Sequence, residues 1–363
     1  MFDMPRRRVI LLCAGLVFVL MVFLVLGMGL FLVSPARKGG AAEVFIVREG
    51  EAPREVAEEL EKRGIITSKE LFLLWVKCLG YGKEIKAGEY SLGPGMAPMA
   101  ILQKLRRGLV ITHPVTVPEG LSRVQIAELL AEKGLISREK FLSLTRDRVI
   151  LERYGISGPS LEGYLYPDTY QFARGILPHT IIETMVKRFF QMAGPLKEAA
   201  EKSGMKMEEV ITLASIVEKE TGRPEERPVI ASVFLNRLKR GMRLDSDPTV
   251  IYGLEAFDGD LRKKDLTQKT PYNTYVISGL PPGPIANPGL ASIKAVVYPA
   301  KTDYLYFVSK NDGSHHFSKT LPEHNRAVNI YQKKKGQIPK KATATYFGEK
   351  HEDEIDKRRE RTP

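Results

Sequence analysis

From Val9 to Val33 the chain runs through 25 uncharged, mostly apolar residues without interruption. A helix of that length, rising about 1.5 Å per residue, covers the roughly 30 Å hydrocarbon core of a bilayer, so the pattern predicts one membrane-spanning anchor. Beyond residue 40 the pattern changes. Short apolar stretches at Val44 to Val47, Val115 to Val117 and Tyr304 to Val308 predict strands, while stretches with apolar residues at i, i+1 and i+4 predict amphipathic helices. Together they predict an α+β fold after the anchor.

Two of the helical stretches are copies of one another. Val47-Arg-Glu-Gly50 recurs as Val117-Pro-Glu-Gly120. At the same offset of 70 residues Val56 matches Ile126, Ala57 matches Ala127, Leu60 matches Leu130, Gly64 matches Gly134, Ile65 matches Leu135 and Ile66 matches Ile136. Agreement at so many positions marks an internal repeat. Each copy predicts a strand, a turn at Glu-Gly, a helix closed by Gly (about 53–63 and 122–133) and a second helix (about 68–78 and 137–144). These units resemble the small LysM-type glycan-binding module; a spacer holding a catalytic domain off the membrane would show the same pattern. Gly, Pro and Ser between 155 and 163 mark a boundary, giving a repeat module over 41–155 and a further domain over 156–330.

Charge refines this layout. The net charge of +12 invites a nucleic-acid reading, but residues 1–38 carry +4 and residues 331–363 another +4, leaving +4 over the long middle span. That is an ordinary solvated surface, and it argues against nucleic acid as a partner. Arg6, Arg7 and Arg8 outweigh Arg37 and Lys38, which predicts residues 1–8 in the cytoplasm, a single-pass anchor over 9–33 in the cytoplasmic membrane, and the remainder outside. A cleaved signal peptide would carry a shorter apolar core. The polar, charged composition of 331–363 predicts a disordered tail. Cys13 and Cys78 are the only cysteines, one inside the apolar run, so no intramolecular disulfide is expected.

Candidate chemistry concentrates on the stretch Thr212-Leu-Ala-Ser-Ile-Val-Glu-Lys-Glu-Thr221, read as the end of a helix over about 207–220. At 100° per residue Glu218 shares a direction with Met207, Ile211 and Ala214, with Ser215 beside it, so it is expected to project from an apolar patch. Lost hydration would raise its pKa and keep it protonated as a general acid. Periodicity separates it only slightly from Glu220, because Leu213 and Ile216 flank that direction too. Leu161-Glu-Gly-Tyr-Leu-Tyr-Pro-Asp-Thr-Tyr170 sets aromatics around Glu162 and Asp168, with Tyr164 between them. Sugar sites have this composition, and so do packed strand corners. His315, His316 and His324 match no common metal-ligand spacing, and the Gly and Pro-rich loop 279–289 lacks the Lys-Ser/Thr of a phosphate loop and reads as a rigid groove wall.

Further motifs follow: Met242-Arg-Leu-Asp-Ser-Asp-Pro-Thr-Val-Ile-Tyr-Gly253, Pro271-Tyr-Asn-Thr-Tyr275, Gly279-Leu-Pro-Pro-Gly-Pro-Ile-Ala-Asn-Pro-Gly289, and Gly313-Ser-His-His-Phe-Ser-Lys-Thr-Leu-Pro-Glu-His-Asn325. With the anchor and the two motifs above, they make nearly the whole chain resemble the YceG-like family, the MltG type of endolytic murein transglycosylase. The resemblance implies that Glu218 cleaves the β-1,4 bond between N-acetylmuramic acid and N-acetylglucosamine in nascent glycan strands, leaving 1,6-anhydro ends. It also implies that neither metal nor cofactor is needed. A lytic enzyme can use a lone acid, because the muramic acid C6 hydroxyl serves as nucleophile, whereas ordinary glycosidases use two carboxylates. Tyr272 and Asn273 are candidates to meet positive charge at the sugar, Asp245 and Asp247 stand nearest a second-carboxylate role, and Ser215, Glu162, Tyr164, Asp168 and Tyr275 are further substrate-binding candidates. The expected partners are peptidoglycan strands and the membrane, and such a location would also suit association with peptidoglycan synthases. A hydrolytic muramidase and a catalytically silent glycan-binding scaffold are the alternatives.

Overall fold

The computed structural model describes residues 6–333. The charged tail expected over 331–363 therefore lies outside the described residues from 334 onward. Cα packing divides the chain into two compact units, one of Met1–Val115 with Tyr170–Leu177 and one of Thr116–Thr169 with Pro178–Pro363. The architecture is α+β: many helices and, among the described residues, three two-stranded sheets.

In the first unit, α1 (Arg6–Val33) is long and apolar enough to cross a membrane. Its 28 residues span about 42 Å, more than a bilayer core needs. The surplus packs on the protein itself. Trp75 Nε1 donates to Met28 O at 3.2 Å, Leu32 is buried, and Phe31 lies against the unit's core. Then come β1 (Glu43–Val47), α2 (Pro53–Lys62), α3 (Lys69–Cys78), β2 (Gly88–Leu92) and α4 (Pro98–Arg107). β1 and β2 pair antiparallel, Phe45 opposite Tyr90, and these two rings close the core over Val56, Leu60, Phe72, Ile101 and Leu105. Proline at the first turn starts α2, and the Ser68 hydroxyl accepts from Leu71 N to start α3. Cys78 is free and exposed.

The second copy of the repeat runs β3 (His113–Thr116), α5 (Arg123–Glu132), α6 (Arg138–Leu144), an added α7 (Arg148–Arg153), then β4 (Thr169–Phe172), with β3 pairing β4. Both copies are thus β-α-α-β units whose apolar repeat positions are buried: Val56, Ala57 and Leu60 in one, Ile126, Ala127 and Leu130 in the other. Ser122 and Gln125 form a reciprocal capping box at the start of α5. The two compact units divide within β3 and β4, and the strand closing the second copy comes only at residue 169.

The rest of the second unit is α8 (Pro178–Ala193), α9 (Lys197–Lys202), α10 (Met207–Glu220), α11 (Arg227–Lys239), α12 (Asp247–Gly253), α13 (Lys263–Leu266), α14 (Leu290–Val297), β5 (Tyr306–Ser309), β6 (His315–Ser318) and α15 (Leu321–Val328). α10 is its axis. Every residue from Val210 to Val217 is buried, packed by α11, α12 and α14. Outside that enclosed stretch lie the exposed Glu208 and Glu209 of the first turn and the partly buried Glu218, Lys219 and Glu220 of the last.

Candidate functional site

Glu218 sits at that last turn with a side chain 5% exposed, but its neighbours are not apolar. Arg227 Nη2, at the start of α11, donates to Oε1 at 2.8 Å, and Gly289 N, at the start of α14, donates to Oε2 at 2.9 Å. The expected apolar patch followed from angles around α10. Met207 shares Glu218's direction yet stands three turns away, and what reaches the carboxylate are a guanidinium and a peptide N–H from other helices. A carboxyl that burial pushes up to about 7 does stand on this helix, at Glu220, where Ser246 Oγ donates at 2.5 Å.

Glu119 completes the site. Arg227 Nη2 also lies 3.5 Å from Glu119 Oε2, so the two carboxylates share one guanidinium and their oxygens are no farther apart than the sum of the two distances. Glu119 comes from the Val117-Pro-Glu-Gly120 turn. That turn is held by Gly120 N donating to Asn287 O at 2.9 Å and by Lys219 Nζ donating to Gly120 O at 3.3 Å. Its carboxyl lies directly on the backbone at Gly289, where a Cβ would occupy the position of the carboxyl group. Burial first, and then the charge of Glu218, push the Glu119 carboxyl above the usual range, while Arg227 opposes both.

Behind the site, Glu162 is buried and accepts from Arg123 N at 2.9 Å, Asn287 Nδ2 at 3.0 Å and Tyr252 OH at 3.0 Å. Asn287 in turn accepts from Leu165 N through Oδ1 and donates through Nδ2 to Leu121 O, both at 2.9 Å. Glu162 therefore fastens the 119–121 turn to the 285–289 loop rather than facing a cleft. Gly163 beside it is obligatory: φ is +86°, and a Cβ would fall 2.5 Å from Pro284 Cγ and 2.9 Å from Ile211 Cγ2. Ser215, wholly buried, donates to Thr212 O at 2.7 Å and accepts from Ile285 N at 3.0 Å, fixing the same loop to α10. The Pro-rich loop is thus a braced segment that delivers Gly289 N to Glu218.

The remaining candidates are dispersed. Tyr164 is a core ring, edge-on to Phe189. Asp168 pairs with Arg188 at 2.7 Å and caps Thr169 N at 2.7 Å. Asp245 pairs with Arg237 at 3.1 Å, and Asp247 accepts from Tyr275 OH at 2.7 Å. Asn273, expected to meet positive charge at a sugar, spends its amide on the carbonyls of Leu266 at 3.0 Å and Gln268 at 2.8 Å and its oxygen on Tyr275 N at 2.9 Å. Tyr272 packs edge-on to Tyr252. His315 pairs with Glu226 at 2.7 Å, and among the described residues no cluster of His, Cys, Asp and Glu could hold a metal ion. Sequence reasoning missed Glu119, Arg227 and Asn287. The repeat had singled out the turn carrying Glu119, and the rigid-wall reading covered the loop carrying Asn287, but nothing in the pattern joined them to Glu218.

These observations define an α+β protein with a carboxylate pair clamped by arginine at the end of a buried helix. A model of the YceG-like family matches residues 45–330, and the chain belongs to that family. It is 36% identical over 329 residues to the endolytic murein transglycosylase of Bacillus subtilis, covering 85% of this chain and 90% of that one. It is 28% identical to the protein of the same name in Streptococcus pneumoniae, over 78% of this chain and 57% of that one. A crystal structure of a YceG-like protein from Listeria monocytogenes superposes with a TM-score of 0.55 at 35% identity, over 79% of this chain and 98% of that one.

Proposed function

We propose that this chain is a membrane-anchored, endolytic peptidoglycan lytic transglycosylase and that Glu218 is its catalytic carboxylate. The observation that carries the reading is the placement of Glu218 between Arg227 and Gly289 N–H, in a chain related over most of its length to proteins named endolytic murein transglycosylase. The substrate is the β-1,4 bond between N-acetylmuramic acid and N-acetylglucosamine. As the C1–O4 bond breaks, its electron pair goes to O4, which takes up a proton; the muramic acid C6 oxygen attacks C1 and Glu218 takes the C6 hydroxyl proton, closing a 1,6-anhydro ring without water. Mass spectrometry of digested peptidoglycan tests this: anhydro ends are expected, and reducing ends alone would overturn it.

One observation favours a second reading. The nearby carboxyls of Glu119 and Glu218 are also the pair of acids that a water-using muramidase requires. A digest in ¹⁸O-labelled water decides between them, since only hydrolysis leaves label at new muramic acid ends.

The layout fits the same role. The N-terminus lies in the cytoplasm, 9–33 anchors the chain, and the region beyond is extracytoplasmic. The repeat region over 41–155 supplies LysM-like glycan contacts, with the β1-α2-α3-β2 unit as the support for that assignment. The domain over 156–330 supplies Glu218, Arg227 and Gly289, the second repeat brings Glu119 to them, and synthases that extrude nascent strands are the partners such a position favours.

A further inference from the structure

Glu218 is poorly arranged to begin a reaction by giving up a proton. Both of its oxygens already accept, one from Arg227 Nη2 at 2.8 Å and one from Gly289 N at 2.9 Å. A carboxylate satisfies both donors, whereas a carboxylic acid would set its own O–H among them. Yet the leaving oxygen of a glycosidic bond needs a proton. Glu119 is the other carboxyl in reach. Its side chain is 47% exposed where that of Glu218 is 5%, and its one charged partner is the shared Arg227 Nη2 at 3.5 Å, longer than a good charged hydrogen bond. Arg227 itself is not saturated, since its buried Nε has no hydrogen-bond partner among the described residues.

We propose that Glu119 is a second catalytic residue, the proton donor to the leaving oxygen, while Glu218 acts as the base; this rests on the lytic reading above. The C1–O4 bond breaks with its electron pair going to O4, which takes the Glu119 proton. The C6 oxygen forms the new bond to C1 and its proton passes to Glu218. Transfer of that proton from Glu218 back to Glu119 restores the resting pair, and nothing is consumed but the glycan. The surroundings favour this division. Burial, and then the charge of Glu218, push the Glu119 carboxyl up and so towards its proton-bearing form, against Arg227, with Lys219 Nζ on the carbonyl of Gly120 and the Tyr166 phenol as the other titratable groups around the turn. Glycine at 289 lets the Glu119 carboxyl lie on the backbone that also serves Glu218.

The test compares full-length wild type, Glu119→Gln and Glu218→Gln in detergent on two substrates: purified peptidoglycan, and a N-acetylglucosaminyl-N-acetylmuramic acid glycoside of 2,4-dinitrophenol. Dinitrophenolate leaves without protonation. Glu119→Gln should lose about 10²–10⁴ in rate on peptidoglycan and recover to within about tenfold of wild type on the dinitrophenyl glycoside, with anhydro product retained; Glu218→Gln should stay impaired on both. The fall of wild-type activity on peptidoglycan with rising pH should also vanish in Glu119→Gln. Equal loss on both substrates would assign Glu119 a structural role, and full activity on peptidoglycan would remove it from the site, so either overturns the proposal. If Glu119→Gln fails to fold, Glu119→Ala, which likewise has no proton to give, makes the same comparison. Absence of anhydro product from wild type would instead refute the lytic reading itself.

Discussion

Replacing Glu162 by Gln removes an ionisation from the interior while keeping the side chain's size. Burial pushes this carboxyl up to about 7, against the donors Arg123 N–H, Tyr252 OH and Asn287 Nδ2 and the Arg123 charge, from an ordinary value of 4.5. Because the folded value is the higher one, its contribution to stability is complete below about 4.5 and is lost as pH climbs through about 7. At about 1.36 kcal/mol per unit the full swing is roughly 3 kcal/mol, and the interval from about pH 5 to pH 8 captures roughly 2–3 of it. Urea unfolding followed by far-ultraviolet circular dichroism at those two pH values should show wild type losing that much more stability than Glu162→Gln. The variant's remaining pH slope belongs to other groups, among them Glu220. Equal slopes in the two proteins would refute the argument. A wild type that gains stability through Glu162 on going to pH 8 would refute it more sharply, since the donors would then outweigh burial.

Glu218→Gln should reduce anhydro-muropeptide release by about 10²–10⁴ with folding intact, and Glu220→Gln much less; chromatography with mass detection of the digest would show the assignment wrong if the two behaved alike. Ser215→Ala strands Ile285 N in the interior and should cost about 1–3 kcal/mol in denaturant unfolding, and an unchanged midpoint would mean that the loop has another brace. Gly289→Ala has an ordinary backbone but no room beside Glu119, so activity should drop as far as in Glu119→Gln while the melting temperature barely moves. Truncation before Met28 should leave a soluble chain as stable as the parent, whereas truncation at residue 38 removes Phe31, Leu32 and the acceptor for Trp75 and should cost about 1.5–3 kcal/mol or more; equal melting temperatures would show the end of α1 to be a passive tether.

Much of the fold could be read from the sequence because its signals are local. The offset-70 repeat located α2, α3, α5 and α6 to within about a residue, since serine caps, a first-turn proline and terminal glycines fix helix ends where they stand. The apolar run gave α1, but not the seating of its last turns, which depends on Trp75 some 47 residues away. The closing strand β4 escaped because Thr169-Tyr-Gln-Phe172 has too few residues to show a period, and its pairing with β3 is a long-range fact. The boundary expected at 155 followed from composition, while the compact units answer to which strand pairs with which.

The site was legible only where one residue type could be tied to one motif. Glu218 stood out through its Glu-Lys-Glu-Thr context, and periodicity could not choose between it and Glu220 for a physical reason: α10 is buried on every face from Val210 to Val217, so no apolar stripe exists to orient its last turn. The difference between the two glutamates lies in what arrives from elsewhere. Arg227 and Gly289 come to one, Ser246 to the other, and the arrival of Gly289 is set by Glu162, Asn287 and Ser215 pinning a loop that the sequence could only describe as rigid. Glu162, Asn273 and Ser215 were sought as groups that touch sugar; they are buried and saturated, so their effect on the reaction passes through the backbone they hold. Glu119, the proton donor proposed above, belongs instead to a turn whose first copy carries Glu49 at the matching position. Among the described residues no arginine-clamped carboxylate meets Glu49, so of the two matching carboxyls the duplicated scaffold brings only the second beside Arg227 and Glu218.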